Sequence, residues 1–179
     1  MAEETFAPIQ KLSPDDMAVK PNLHLSDTYE GFSWESMYEE LDWLPGGGLN
    51  KAHEAIDRHA NGTLRDKLAM IWESANGQRE TYTFHQLKTL TDKFANVLKS
   101  LGITKGDRVF LFLDRVPELY IGFYASLKVG ALAAIISPNI STELFKDRMR
   151  LTGAKILVTH PHLRFNITGI IPELFELQH

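Results

Sequence analysis

The chain of 179 residues contains no cysteine. This absence excludes disulfide bonds, zinc–thiolate sites and thiol nucleophiles, and it is typical of a protein in a reducing compartment. The first ten residues, MAEETFAPIQ, also lack the apolar core of a secretory signal. We therefore expect a cytoplasmic protein.

Long apolar runs are missing as well. The most apolar stretch, residues 116–137, is interrupted by Glu118, Lys128 and Gly130, so it predicts a buried helix followed by a strand and not a membrane span. An excess of positive charge is absent too, because 19 Lys and Arg stand against 23 Asp and Glu. Nucleic acids and anionic membranes attract clustered Lys and Arg, so neither is an expected partner.

The glycine-rich loops that hold phosphate groups do not occur. Both G-x-x-x-x-G-K-[ST] and G-x-G-x-x-G are absent, and such loops place backbone N–H groups against a phosphate at the start of a helix. The run Gly46-Gly47-Gly48 precedes a predicted helix but follows no strand, so we interpret it as a flexible break. The G-x-S-x-G elbow of serine hydrolases is also absent.

The residues that are present divide the chain into three parts. Residues 1–30, which contain three prolines, predict an extended or partly disordered arm. Residues 31–66 predict a helical N-terminal extension. Residues 67–179 predict an incomplete α/β domain.

Strands and helices alternate along that last part. The expected strands are 67–72, which has the pattern of a buried strand, and then 80–82, 109–113, 131–136 and 155–158. The expected helices are 83–101, 117–129 and 142–151. This order predicts a layered α/β fold with a mainly parallel sheet, flanking helices and right-handed crossovers.

Local signals predict several helix ends. Ser33 and Asn50 are expected N-caps, and Thr83 and Gln86 have the spacing of a capping box. Ser141 is expected to cap the helix at 142–151. The apolar face of the helix that begins at Thr83 is expected to comprise Phe84, Leu87, Leu90, Phe94, Val97, Leu98 and Leu101.

The loops that follow the parallel strands are the candidate site. Ligands of open α/β sheets bind beyond the carboxyl ends of the strands, and Asp114, Ser137 and Thr159 follow three strands in this way. Asp114 has a second interpretation, as the cap of the helix that starts at Pro117, and we favour it because capping residues are common there.

Two histidines close to Thr159 are a possible metal pair. His160-Pro161-His162 puts two imidazoles together, and a transition metal can bind both. No carboxylate or third imidazole lies nearby in the sequence, so we favour a surface turn and predict no metal site.

A series of short segments carries a family resemblance over residues 30–179. The segments are, in order, Gly47-Gly48-Leu49-Asn50 with Ala55-Ile56-Asp57-Arg58-His59, Tyr82-Thr83-Phe84-His85-Gln86-Leu87, Lys105-Gly106-Asp107-Arg108-Val109, Val116-Pro117-Glu118-Leu119, Lys128-Val129-Gly130-Ala131 and Ala154-Lys155-Ile156-Leu157-Val158-Thr159. In this order they resemble the N-terminal portion of AMP-forming acyl-CoA synthetases of the acetyl-CoA synthetase type.

The resemblance implies the large N-terminal domain of adenylate-forming enzymes. It also implies their reaction, in which a carboxylate and ATP give an acyl-adenylate and then a thioester with CoA, with ATP, Mg²⁺ and CoA as cofactors of the complete enzyme. The family's Ser/Thr/Gly-rich ATP loop and its C-terminal lysine are not found in these residues, so we expect the chain alone to be inactive, with no catalytic residue. Arg164 lies near the family's CoA-binding arginine segment and is a possible CoA contact; a solvated surface arginine is the other interpretation.

Two further functions stay open. The chain could be a stand-alone interaction or oligomerisation module derived from this fold, with a second copy or a separate C-terminal polypeptide as partner, because incomplete sheets expose edges and apolar faces. The second open function is that of a small flavodoxin-like nucleotide-binding protein, and this interpretation depends on fold class alone.

Overall fold

The computed structural model describes Asp16 and residues 33–166, with the side chains after Leu163 left out. Most of the predicted arm and everything predicted after Asn166 lie outside these residues. Contacts along the chain define two compact units, residues 1–41 and residues 42–179. The boundaries that we predicted at 30 and 66 remain predictions.

The first unit contributes one short helix to the described residues. Helix α1 (Trp34–Glu39) begins after Ser33, whose side chain accepts a hydrogen bond from the Ser36 N–H at 3.1 Å. The predicted cap at Ser33 is therefore confirmed.

The second unit begins with a helical segment and a hairpin. A π-helical segment (His53–Asp57) continues into α2 (Arg58–Asn61), and β1 (Leu68–Glu73) pairs antiparallel with β2 (Arg79–Thr83). Residues 51–52 form a helical turn that leads into the π-helical segment. Asn50 caps this turn, as predicted, because its Oδ1 accepts from the Ala52 N–H at 2.9 Å.

A parallel sheet with helices on both faces follows. Its elements are α3 (Phe84–Ser100), β3 (Arg108–Phe112), α4 (Pro117–Lys128), β4 (Leu132–Ile136), α5 (Thr142–Thr152), β5 (Ile156–Thr159) and a 3-10 helix (Pro161–Asn166). The strand order is β4-β3-β5, and both pairings are parallel. The predicted α/β class with a parallel sheet and flanking helices is confirmed.

The middle strand β3 divides the core into two layers. Val109 and Leu111 pack with α3 and α4 on one face, and Phe110 and Phe112 pack with α5 on the other. The edge-to-face contact of Phe112 with Phe145 belongs to the second layer. Because side chains alternate along a strand, β3 must be apolar throughout to serve both layers.

Two expectations about burial were wrong. Strand β1 is not buried, since Leu68 and Ile71 are both exposed; a two-stranded ribbon offers only one face to the helices beside it. On α3, Val97 and Leu101 are exposed, whereas Thr91 is fully buried. Thr91 tolerates burial because its hydroxyl donates to the Leu87 carbonyl at 2.7 Å.

Within the described ranges, no helix is both long enough and apolar enough to cross a membrane.

Candidate functional site

The carboxyl ends of the three parallel strands form one rim. Phe112 at the end of β3 lies opposite Ile136 of β4 and Thr159 of β5, so the strands end level. Asp114 and Ser137 follow β3 and β4 within two residues, and the predicted loops therefore lie along the same edge of the sheet.

At the rim, a side-chain hydrogen bond joins the loop after β3 to the segment after β5. His162 Nε2 lies 2.7 Å from Asp114 Oδ2. An ionised carboxylate only accepts hydrogen bonds, so the imidazole N–H is the donor. Both side chains are largely exposed.

The preferred interpretation of Asp114 as a helix cap was wrong. The N-cap of α4 is Val116, which makes no side-chain capping bond, and Pro117 occupies the first turn. Asp114 lies two residues before the cap position, and its carboxylate binds His162 instead. Proline at the first turn lowers the need for a cap, because it has no N–H to satisfy.

The two histidines lie in and before a 3-10 helix and not in a simple turn. The rings of His160 and His162 stack with centroids 5.4 Å apart and planes 25° apart. His160 Nε2 is buried and has no hydrogen-bond partner among the described residues. Among all the residues that the structure describes, no group of three or more His, Asp or Glu is arranged to hold a metal ion.

Trp72 is a rim residue that the sequence did not indicate. Its indole N–H donates to the Arg115 carbonyl at 2.7 Å, which ties strand β1 to the loop after β3. That loop is thus held by Trp72 on one side and by His162 on the other. The two partners of the tryptophan bond lie 43 positions apart, and no sequence spacing predicts such a contact.

The remaining predicted rim residues make local bonds. Ser137 Oγ accepts from the Asn139 N–H at 3.3 Å, and Thr159 Oγ1 donates to the His160 carbonyl at 3.4 Å. The structure does not join either hydroxyl to the Asp114–His162 pair by a hydrogen bond.

Arg164, the possible CoA contact, has its backbone in the same 3-10 helix as His162. Its side chain is outside the described part of the structure, and its role stays a prediction.

The triglycine loop does not form a phosphate cradle. The Gly47 N–H donates to the Leu44 carbonyl at 2.9 Å, and the Leu44 N–H donates to Gly48 at 2.9 Å. The loop therefore closes on itself as a turn with Gly46 and Gly47 at positive φ. Among the described residues, these glycines do not follow a strand and do not fit a triphosphate.

Two pKa values depart far from their ordinary range. The Lys155 ammonium, with the Thr104 N–H, holds the pKa of Asp107 at about 2. Asp107 precedes β3, at the end of the sheet opposite the rim. Burial, together with a hydrogen bond and the charge of Glu80, raises the pKa of Tyr82 to about 12. Neither group belongs to the rim.

Comparison with protein families gives one match over most of the second unit. The model described as AMP-binding enzyme matches residues 56–177. This range contains β1 to β5 and every rim residue named above.

Relatives and solved structures agree with that match. The chain is 38% identical over 154 residues to acetyl-coenzyme A synthetase of Bacillus subtilis, covering 86% of this chain and 26% of that protein. It is 34% identical over 139 residues to 3-hydroxypropionyl-coenzyme A synthetase of Metallosphaera sedula, covering 75% and 21%. The crystal structure of Brucella canis acyl-CoA synthetase is similar with a TM-score of 0.74 and 25% identity, covering 82% and 26%. The chain spans about a quarter of the length of these proteins.

Proposed function

Because this chain belongs to the family of AMP-binding enzymes, we propose that it provides the N-terminal scaffold of an AMP-forming acyl-CoA ligase. The complete ligase joins a carboxylate to the AMP part of ATP with release of pyrophosphate, and then transfers the acyl group to the thiol of CoA with release of AMP. The observation that carries this proposal is the family match across the whole parallel sheet and its rim.

The substrate that we propose is a short carboxylate. The two relatives described above are named for acetyl-CoA and 3-hydroxypropionyl-CoA, both of which carry short acyl groups. ATP, Mg²⁺ and CoA are the cofactors of the complete ligase in this proposal.

These 179 residues alone hold the loops of the rim in place and do not form the acyl-adenylate. The loop after β3 is fixed by Trp72 and by His162. The described residues offer no glycine cradle for the triphosphate, so we assign no step of adenylation to them. Arg164 is the residue that we propose for contact with CoA. The reducing cytoplasm that the absence of cysteine favours is the proposed location.

Calorimetric titration tests the division of roles between this chain and the rest of the ligase. We expect no heat from ATP with Mg²⁺ or from AMP, and weak binding of CoA that the Arg164→Ala change removes. Stoichiometric binding of ATP would overturn the proposal. An Arg164→Ala chain that binds CoA as well as the unchanged chain would remove Arg164 from it.

A second function, as an interaction module, is supported by exposed apolar side chains. Leu132 and Ile135 of β4 are 58% and 54% exposed, and Leu144 and Leu151 of α5 are exposed too. Strand β4 pairs with β3 along one edge, and exposed strand edges accept further strands. The proposed partner is a second copy or a separate C-terminal polypeptide. Light scattering that shows a monomer over a wide concentration range would count against self-association.

A further inference from the structure

An apolar cleft lies between strand β1 and three helical segments. It has a volume of about 420 Å³, and its walls come from β1, the π-helical segment His53–Asp57, α3 and α4. Volumes of roughly 300–1,000 Å³ are usual for pockets that bind small molecules. We call this space the aromatic cleft, because Trp72, Phe84, Tyr120 and Tyr124 line it.

Small side chains create the room in the aromatic cleft. Ala55 from the π-helical segment and Ala69 from β1 both line the cleft, at positions where larger residues would take up part of its volume. Met70 completes the β1 side. The cleft is therefore open because of its sequence, and a larger side chain at either alanine is expected to fill it.

The polar groups of the aromatic cleft set the charge of its ligand. The Thr91 hydroxyl is already bonded to the Leu87 carbonyl, and the Trp72 indole N–H to the Arg115 carbonyl. Tyr120 and Tyr124 add two phenol groups to the lining, and these are neutral as well. Among the residues that the structure describes, no Asp, Glu, Lys or Arg lines the cleft. An ion would lose part of its hydration there and gain no side chain of opposite charge, so the lining favours neutral ligands.

We propose that the aromatic cleft binds a small, neutral aromatic molecule of one or two fused rings. Flat rings stack on or against the edges of aromatic side chains, and four such side chains surround this space. Clefts lined mainly by apolar and aromatic side chains are common sites for ligands of this kind. The cleft shares Trp72 with the rim, but its binding of an aromatic molecule does not require the ligase chemistry proposed above.

Calorimetry with indole and indole-3-acetate tests the charge argument. The two probes share the same ring system and differ in the carboxylate. We expect one indole per chain and binding of indole-3-acetate that is weaker by at least about tenfold, because the carboxylate loses its hydration in the cleft. No binding of indole, or equal binding of the two probes, overturns the proposal.

Two substitutions locate the bound indole. Ala69→Phe fills the cleft from β1, and Ala55→Phe closes it from an exposed position of the π-helical segment. Each is expected to abolish indole binding, while Leu151→Phe on exposed α5 leaves it unchanged. If Ala69→Phe prevents folding, Ala55→Phe decides alone. Undiminished binding to the folded Ala55→Phe chain overturns the proposal.

Discussion

His162 Nε2 and Asp114 Oδ2 lie 2.7 Å apart, although 48 positions separate the two residues in the chain. The bond joins the loop after β3 to the 3-10 helix after β5. The next residue, Arg115, accepts a hydrogen bond from Trp72 through its carbonyl. A change at Asp114 is therefore expected to reach Trp72 through two adjacent backbone positions.

The first prediction concerns this connection. Asp114→Ala should move the indole N–H resonance of Trp72 in the NMR spectrum, because the Arg115 carbonyl that accepts from it shifts with the loop. The resonances of Trp34 and Trp43 serve as internal references. The free energy of unfolding should fall by less than about 1 kcal/mol, since Asp114 and His162 are 45% and 63% exposed and exposed ion pairs contribute little. An unchanged Trp72 resonance would show that the two bonds are not coupled.

The second prediction concerns the buried ammonium of Lys128. Its side chain is 9% exposed and binds Asp57 at 2.6 Å and Asp92 at 2.5 Å. Lys128→Met should lower the free energy of unfolding in urea by about 3 kcal/mol, because it leaves two carboxylates without their shared cation. Lys88→Met is the matched control, since Lys88 binds Asp92 from a more exposed position, and should cost about 0.5 kcal/mol. Equal losses would contradict a special role for Lys128.

The third prediction is a pH dependence set by Asp107. The hydrogen bond from Lys155, supported by the Thr104 N–H, holds the pKa of Asp107 at about 2, below its ordinary value of 3.8. A lowered pKa means that the carboxylate stabilises the fold above the ordinary value, and that this stability is lost as the pH falls toward 2.

The Asp107→Asn chain should therefore be less stable than the unchanged chain above pH 4. The difference should shrink between pH 4 and pH 2, in thermal unfolding measured across that window. Asp66→Asn, at an exposed carboxylate, is the control and should follow the unchanged chain. A constant difference between the Asp107→Asn and unchanged chains down to pH 2 would refute this assignment.

The fourth prediction concerns Gly130, between α4 and β4. Its φ is +75°, and an added Cβ would meet Lys105 Cγ at 3.1 Å and Cβ at 3.2 Å. Gly130→Ala should cost about 2 kcal/mol in urea unfolding, because left-handed backbone and crowding both penalise a side chain there. Gly48→Ala, where an added Cβ meets only Leu44 Cδ1 at 3.9 Å, should cost much less. Similar costs for the two changes would contradict the argument from backbone conformation.

Features that depend on neighbouring residues could be predicted from the sequence. The capping box of Thr83 and Gln86 forms as expected, and so does the Ser141 cap of α5. Both involve side chains and N–H groups within one helical turn. The parallel pairing of β3 with β4 and with β5 was expected from the alternation of strands and helices, because a helix between two strands lets them run in the same direction.

Features that depend on distant residues could not be predicted. Asp114 was expected to cap a helix, but its carboxylate binds His162 from the loop after β3, 48 positions away in the sequence. Burial on α3 was misjudged for a similar reason. Helical periodicity shows which apolar residues share one face of a helix. It does not show whether another element packs against Val97, which is exposed. The contact of Trp72 with Arg115 likewise follows from the docking of the hairpin.

We proposed that this chain is a scaffold that does not form the acyl-adenylate by itself. The most direct test is acetate-dependent exchange of labelled pyrophosphate into ATP by the 179-residue chain. The assay runs beside the acetyl-coenzyme A synthetase of Bacillus subtilis and is repeated with 3-hydroxypropionate. We expect no exchange above background by this chain with either acid, because the described residues hold no triphosphate cradle. Robust exchange that depends on either carboxylate would contradict the proposal.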